Sequence, residues 1–367
     1  MITFLSAGAY NPFIYVYFTE LGLNGEQVGW LSSLSPVMTM LLSSLIASYA
    51  DRKNKRIRIM QISLALAALL IYLMHLPTRF TEIVMMMFLL AVVSSPIMSL
   101  AESLIARMAQ RYGLNYGGMR LWGSFGFAIS ALGFGAIWQR VGFKPMFFVA
   151  GVLYIPLIVL AGKLEEVPAA KTEERIPFTH LFKDAGLVLL LVATFFSSVS
   201  NSLSMTFSGI LARSLGGGNF LIGLLIAVGA FAELPVMFFS DRISARLRKI
   251  NTILISYGLM AVAYIGFMLS PTANILPIWA IMKGLGYGLW ITITIRLLIE
   301  HSPADWASTA QSLLVACMFG LAPLVAGPVG GWIHDTISPG AVFGLGVITL
   351  IMAAGVLIYA ALSGKLE

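Results

Sequence analysis

"SYADRKNKRIR", residues 48–58, closes one apolar stretch of the chain, and "FFSDRISARLRK", residues 238–249, closes another. Each sets an Asp-Arg pair at the exit of a hydrophobic segment with basic residues close behind. The two aspartates, Asp51 and Asp241, stand 190 residues apart (241 less 51) in a chain of 367. A signature recurring at one structural place in each half marks an internal repeat. Two parallel halves built of apolar segments, with a site between them near the bilayer midplane, is a transporter architecture.

Composition says what those segments are. The chain is 59% hydrophobic and 11% charged, with mean hydropathy +0.90. Soluble domains carry roughly 25% charged residues, so there is too little polar surface here to cover a water-exposed globule. A bilayer-crossing helix needs about 20 mostly apolar residues. Cutting where charges and turn residues cluster gives spans at roughly 1–20, 27–50, 57–76, 82–106, 119–138, 145–162, 185–210, 220–240, 250–269, 275–298, 307–331 and 341–362. The expected fold is an all-α membrane protein of twelve transmembrane helices in two six-helix bundles. The first segment, with "YNPFIYVYF" at 10–18, has no basic lead and no small-residue cleavage site. It reads as a spanning helix rather than a secretory signal.

Orientation follows from lysine and arginine. Loops after odd-numbered spans hold Arg79, Arg140, Lys144 and Arg213, four in all. The other side holds eighteen, from Arg52 to Lys365, and Lys283 lies deep inside a span. That bias places both termini in the cytoplasm. The net charge of +7 is thus a topology signal, and no nucleic-acid partner is expected. The longest polar stretch, "GKLEEVPAAKTEERIPFTHLFKD" (162–184), divides the spans six to six. The expected organisation is an N-terminal bundle over 1–162, a cytoplasmic linker over 163–184 and a C-terminal bundle over 185–367.

The loop signature, carried by Asp51, Arg52, Arg56, Asp241 and Arg242, resembles the cytoplasmic loop motif of the major facilitator superfamily. That motif has Gly four residues before the Asp, where Ala47 stands, and Gly a few residues after it, where Asn54 and its neighbours stand. Within the superfamily, "ESLIARMAQRYGLNYGGMRLWGSFGFA" (102–128) resembles the branch of lactose permease, phenylpropionate permease and the nucleoside-proton symporters. The branch pattern falls on Glu102, Tyr116, Gly117, Arg120, Trp122, Gly123, Gly126 and Phe127. The resemblance implies that Glu102 and Arg120 hold the solute, with Trp122 and Phe127 supplying aromatic surface. In "AFAELPVMFFSDR" (230–242), Glu233 matches the glutamate of helix 8, and in "AIMKGLGYGLWI" (280–291), Lys283 matches a helix 10 lysine. The histidine and glutamate of the branch's proton pathway fall on Gly286 and Leu289. Proton coupling would therefore rest on Glu233 or Glu102.

Read without the resemblance, these residues keep two readings each. An ionisable group at the centre of a spanning helix costs about 2.5–3.5 kcal/mol, so it normally faces a cavity or a partner. Glu233 is a proton-coupling residue or a glutamate bonded to a neighbouring helix for packing. Arg120 binds a solute through its fork of donors, or snorkels to headgroups while Glu102 is solvated at the interface. Lys283 shares a helical face with Tyr287, Trp290 and Thr294, a solute-binding wall or the face of a lysine paired to Glu233. Asn201, with Ser197 and Ser204, forms a polar stripe on helix 7, and Ser95, Ser99 and Glu102 form another on helix 4; such stripes serve packing as often as binding. Cys317, the single cysteine, reads as a small buried hydrophobe. The glycines of "GLAPLVAGPVGG" (320–331) permit close backbone approach.

The expected function is secondary-active transport, a proton symport of a sugar, nucleoside or aromatic acid by alternating access. The alternatives are a proton-antiport exporter and a non-transporting membrane sensor or partner subunit. An enzyme is not expected: His75, His180, His301 and His334 fall in loops or at span ends, and no metal-ligand spacing or phosphate loop occurs. No cofactor or metal is expected. The expected partners are a small-molecule substrate, protons and the lipid bilayer, the expected state is a monomer, and the expected location is a bacterial or archaeal plasma (inner) membrane.

Overall fold

The computed structural model describes residues 2–113, 116–166, 184–302 and 307–366, without the side chains of residues 2, 110, 116–121, 241 and 307–309. Most of the expected linker, including Lys171, Arg175 and Lys183, therefore lies outside the described residues.

The described chain is all helical. The helices are α1 (Ile2–Tyr10), α2 (Ile14–Glu20), α3 (Gly25–Lys53), α4 (Arg56–Leu73), α5 (Phe80–Ser94), α6 (Ile97–Tyr112), α7 (Tyr116–Val141), α8 (Met146–Ala161), α9 (Ala185–Ser214) and α10 (Asn219–Leu247). There follow α11 (Lys249–Leu269), α12 (Leu276–His301), α13 (Ala307–Ala316), α14 (Ala322–Thr336) and α15 (Ala341–Leu362). In hydrocarbon a backbone must satisfy its own polar groups, and a helix does so within one segment. Among the described residues, 9 helices are long and apolar enough to cross a membrane, and Met146–Ala161 is a shorter apolar one. Large apolar side chains such as Phe238 (78% exposed), Leu45 (67%) and Ile351 (64%) point outward. That surface suits acyl chains, not water.

The helices depart from the expected spans at identifiable residues. The first is broken between α1 and α2 around Pro12, which has no N–H to donate, so Phe13 N turns back to Tyr10 O (2.9 Å). The fourth is broken between α5 and α6 at Pro96. The eleventh is interrupted between α13 and α14 by a π-helical turn, Cys317–Leu321, just ahead of Pro323. There the Cys317 thiol is buried and donates to Leu191 O (3.6 Å). Helix α10 runs past its expected end to Leu247.

The chain groups into two compact units. Unit 1 holds Met1–Leu23, Trp30–Glu173 and Gly218–Ala227; unit 2 holds Asn24–Gly29, Glu174–Gly217 and Val228–Glu367. In unit 1, α1 packs on α7 and α8. Trp138 Nε1 donates to Ala9 O (2.9 Å), Ser6 Oγ to Leu153 O (3.1 Å) and Ser130 Oγ to Leu5 O (2.5 Å). In unit 2, Tyr264, Phe267, Trp290 and Phe343 are fully buried. Phe267 stacks on Phe343 with centroids 5.0 Å apart, and Ser200 Oγ ties α9 to α15 through Gly346 O (2.9 Å).

Candidate functional site

Within unit 2, α10 and α12 touch backbone to backbone. A Cβ on Gly284 would lie 2.3 Å from Gly229 O, and one on Gly288 would lie 2.9 Å from Glu233 O. Glycine at both places lets α12 settle against α10 at Glu233, the central residue of the 29-residue α10, about 21 Å of helix from either end. Lys283, beside Gly284, interacts electrostatically with Glu233. Its Nζ also lies 4.9 Å from the Tyr287 ring centroid, a cation–π contact. Tyr287 in turn meets Trp290 at 5.6 Å. The expected helical face of Lys283, Tyr287 and Trp290 is therefore assembled, with Trp290 0% exposed and Lys283 half-buried. The structure sets Lys283 over the Tyr287 ring and within electrostatic reach of Glu233.

Polar atoms without partners occur in the same unit. Asn201 Oδ1 on α9 and Thr294 Oγ1 on α12 are buried with no hydrogen-bond partner among the described residues. Ser197, from the same α9 stripe as Asn201, accepts from the Tyr257 hydroxyl (3.3 Å) and donates to Ala193 O (3.0 Å). Ser197 thus holds helices together, whereas Asn201 keeps an acceptor unused.

In unit 1, Glu102 is half-buried on α6, and Ser95 and Ser99 turn their hydroxyls onto Val92 O and Pro96 O (2.8 and 3.1 Å). Arg120 stands on the first turns of α7, but its side chain is outside the described residues, as is that of Asp241. Trp122 is 59% exposed and packs edge-on to Phe125 at 5.9 Å. Phe127 is half-buried.

The loop signature forms a charge cluster. Buried Arg56 donates through Nε to Asp51, Arg107 Nη2 lies 3.9 Å from the same carboxylate, and Arg52 is exposed. Asn54, where the family motif has glycine nearby, takes φ 49°, in the left-handed region that asparagine tolerates better than most residues. In the second signature Arg248 takes φ 64° and Arg242 lies over the Phe239 ring at 5.7 Å. Lys249 pairs with Glu300.

Sequence reading missed four polar residues, Glu165, Glu166, Gln139 and Asp335. Glu166 accepts from Arg56 N at the start of α4 (2.5 Å), and Glu165 binds Arg111 (2.9 Å) and the Tyr112 hydroxyl (2.7 Å). The bond to Glu165 holds the Tyr112 hydroxyl above its ordinary pKa. Asp335 and Gln139, at the ends of α14 and α7, bond the first turns of α3 and α10. Each bonds a group 53 to 310 residues away in sequence, so no local spacing points to it. Among the described residues no three His, Cys, Asp or Glu side chains are grouped to hold a metal ion.

The fold is that of an integral, multi-pass membrane transporter. Residues 1–345 match the family described as MFS_1 like, and the chain belongs to that family of major facilitator transporters, whose members here are permeases rather than enzymes. It is 29% identical over 345 residues to the maltose permease of Geobacillus stearothermophilus, covering 93% of this chain and 88% of that protein. It is 24% identical over 364 residues to the uncharacterized transporter YwbF of Bacillus subtilis (strain 168), covering 98% and 91%. Among solved structures, a mutant form of the nucleoside transporter NupG superposes with a TM-score of 0.86 at 14% identity, covering 98% of this chain and 97% of that one.

Proposed function

We propose that this protein is a proton-coupled symporter of a small organic solute, a sugar, nucleoside or aromatic acid, working by alternating access. In this reading it has twelve spans, a bundle over 1–162, a linker over 163–184 and a bundle over 185–367. Both termini lie in the cytoplasm, and the protein acts as a monomer in a bacterial or archaeal plasma membrane. Glu102, Arg120, Trp122, Phe127, Asn201, Lys283, Tyr287 and Trp290 serve the solute. Glu233, with Glu102, carries the proton, and Asp51, Arg52, Arg56, Asp241 and Arg242 govern the conformational loops. The names of the maltose permease and of NupG support a sugar or nucleoside.

The observation that carries the reading is the glycine contact of α10 and α12, which sets Lys283 within electrostatic reach of Glu233 at the middle of α10. An isolated charge there would be costly, so each partner makes the other tolerable. Protonating Glu233 removes the attraction and leaves Lys283 uncompensated, so proton occupancy changes the local balance of charge. A solute that enters near Lys283 is then linked to that proton.

The test is uptake into proteoliposomes of maltose, uridine and phenylpropionate, with and without an inward proton gradient. Gradient-driven uptake of one of them, abolished in Glu233→Gln while solute exchange without a gradient persists, is the expected result. Uptake indifferent to both gradient and mutation would overturn proton symport. Gradient-driven efflux would favour an antiport exporter, and no transport of any solute would favour a sensor.

A further inference from the structure

Helix α10 keeps one exposed face from its apolar middle to its last turn. Phe231, Pro235, Phe239, Arg242 and Arg246 are all exposed, at steps of three and four that set them on one side of a helix. Ser240 and Ser244, on the opposite side, are buried. Along this face the chemistry changes from apolar to cationic within one turn. Phe238 and Phe239 are both exposed, and their rings meet edge to face at 5.1 Å. The next residue on the face is Arg242, and Arg246 follows one turn later.

The change falls where a bilayer changes. Half of the hydrocarbon layer is about 15 Å, and the headgroups add about 5–8 Å on each side. Measured from Glu233 at the middle of α10, Arg242 stands about 14 Å along the axis and Arg246 about 20 Å. With Glu233 at the midplane, Phe238 and Phe239 lie among acyl chains, Arg242 at their edge and Arg246 among the headgroups. The Arg242 guanidinium lies over the Phe239 ring at 5.7 Å. That contact takes the flat face of the guanidinium and leaves its N–H edge for an acceptor.

The charge here is largely unanswered. Residues 234–249 contain Arg242, Arg246, Arg248 and Lys249 against the single acid Asp241. Lys249 is engaged by Glu300 from the end of α12. Among the described residues no carboxylate pairs with Arg242, Arg246 or Arg248. Arginines four apart on a helix have Cβ atoms about 5–6 Å apart, close enough for both forks to reach one phosphate.

We propose that this end of α10 binds one anionic phospholipid, its phosphate between Arg242 and Arg246 and its acyl chains along Phe238 and Phe239. The occupant must be apolar and anionic about 6 Å apart along the helix axis, which is the build of a phospholipid at the headgroup boundary. A free phosphate, or a soluble acidic peptide, would leave Phe238 uncovered at 78% exposure. The expected cytoplasmic side of this end is the leaflet that carries anionic lipid. The side rests on the orientation reading; the site does not.

The test is native mass spectrometry of the full chain in detergent micelles, titrated with phosphatidylglycerol or with phosphatidylcholine. Each arginine near an anionic headgroup is worth roughly fivefold in affinity. Arg242→Gln and Arg246→Gln should each weaken phosphatidylglycerol binding about fivefold and leave phosphatidylcholine unchanged. Phe238→Ala should weaken both lipids. Lys53→Gln with Lys55→Gln, an equal loss of exposed charge at the end of α3, should leave phosphatidylglycerol binding as in wild type. Equal affinity of wild type for the two lipids would overturn the proposal. So would an equal loss in the Lys53/Lys55 and Arg242/Arg246 double variants, which would mean diffuse surface charge. Displacement of phosphatidylglycerol by excess inorganic phosphate, with Phe238→Ala silent, would make this a phosphate site and overturn the lipid. If Arg242→Gln does not fold, Arg246→Gln, in the exposed last turn, decides. Binding in micelles needs no solute, gradient or sidedness, so failed uptake or a reversed orientation leaves this result standing.

Discussion

Asn54 shows how much one dihedral angle can carry. It turns the chain from α3 into α4 at φ 49°, next to the Asp51–Arg56 bond. An L residue in the left-handed region pays about 1–2 kcal/mol unless its side chain is short and polar. Asn54→Val should therefore lower unfolding stability in detergent by about 1–2 kcal/mol, while Asn54→Gly stays within about 0.5 kcal/mol. Equal melting temperatures for the two variants would show that the turn can relax. Arg56 beside it is buried and Arg107 only half so. Losing Asp51 strands a buried guanidinium, so Asp51→Ala should destabilise more than Arg107→Ala in the same melt. The aspartates were legible because an Asp-Arg pair at the exit of an apolar segment is a pattern in one dimension. Asn54 was legible only as a departure from glycine; that it keeps the glycine's conformation is a property of the backbone.

Among the helices, glycines that look alike in sequence do opposite things. Gly284 and Gly258 both lie inside long apolar helices, α12 and α11. A Cβ on Gly284 would strike Gly229 O at 2.3 Å, whereas Gly258 has nothing within 4 Å. Gly284→Ala must push α12 off α10 and so separate Lys283 from Glu233; it should reduce both stability and solute uptake. Gly258→Ala only removes backbone freedom and should stabilise by about 0.5–1 kcal/mol with uptake unchanged. A stabilised Gly284→Ala with normal uptake would mean that the helix contact does not position the pair. The same blindness applies to proline. Pro36, Pro156, Pro235 and Pro328 lie within continuous helices, while α5 and α6 part at Pro96. Membrane helices tolerate proline where neighbours re-satisfy the freed carbonyl, which a linear sequence does not display. Helix existence was legible because hydrocarbon permits little else; where a helix breaks was not.

At the scale of the molecule, the charges of the loops and the charges of the core were legible to different degrees. Glu233 and Lys283 stood out as ionisable residues among apolar ones, although only the α10–α12 contact brings them within electrostatic reach of each other. Asp335 did not stand out, because a carboxylate at a helix end looks solvated until its partner, 310 residues distant, is in place. The loop charges needed no structure, since orientation depends on the count of lysines and arginines on each side. Four on the odd side against eighteen on the other predicts that Lys144 faces outward and that Lys163 and Lys365 face the cytoplasm. In intact cells expressing the Cys317→Ala protein, a membrane-impermeant maleimide should label Lys144→Cys, while Lys163→Cys and Lys365→Cys become reactive only after permeabilisation. Cysteine at position 163 or 365 that labels in intact cells, with 144 protected, would reverse the orientation. The first turns of α3 and α10 would then face the cytoplasm, and the Asp51 cluster would face outward.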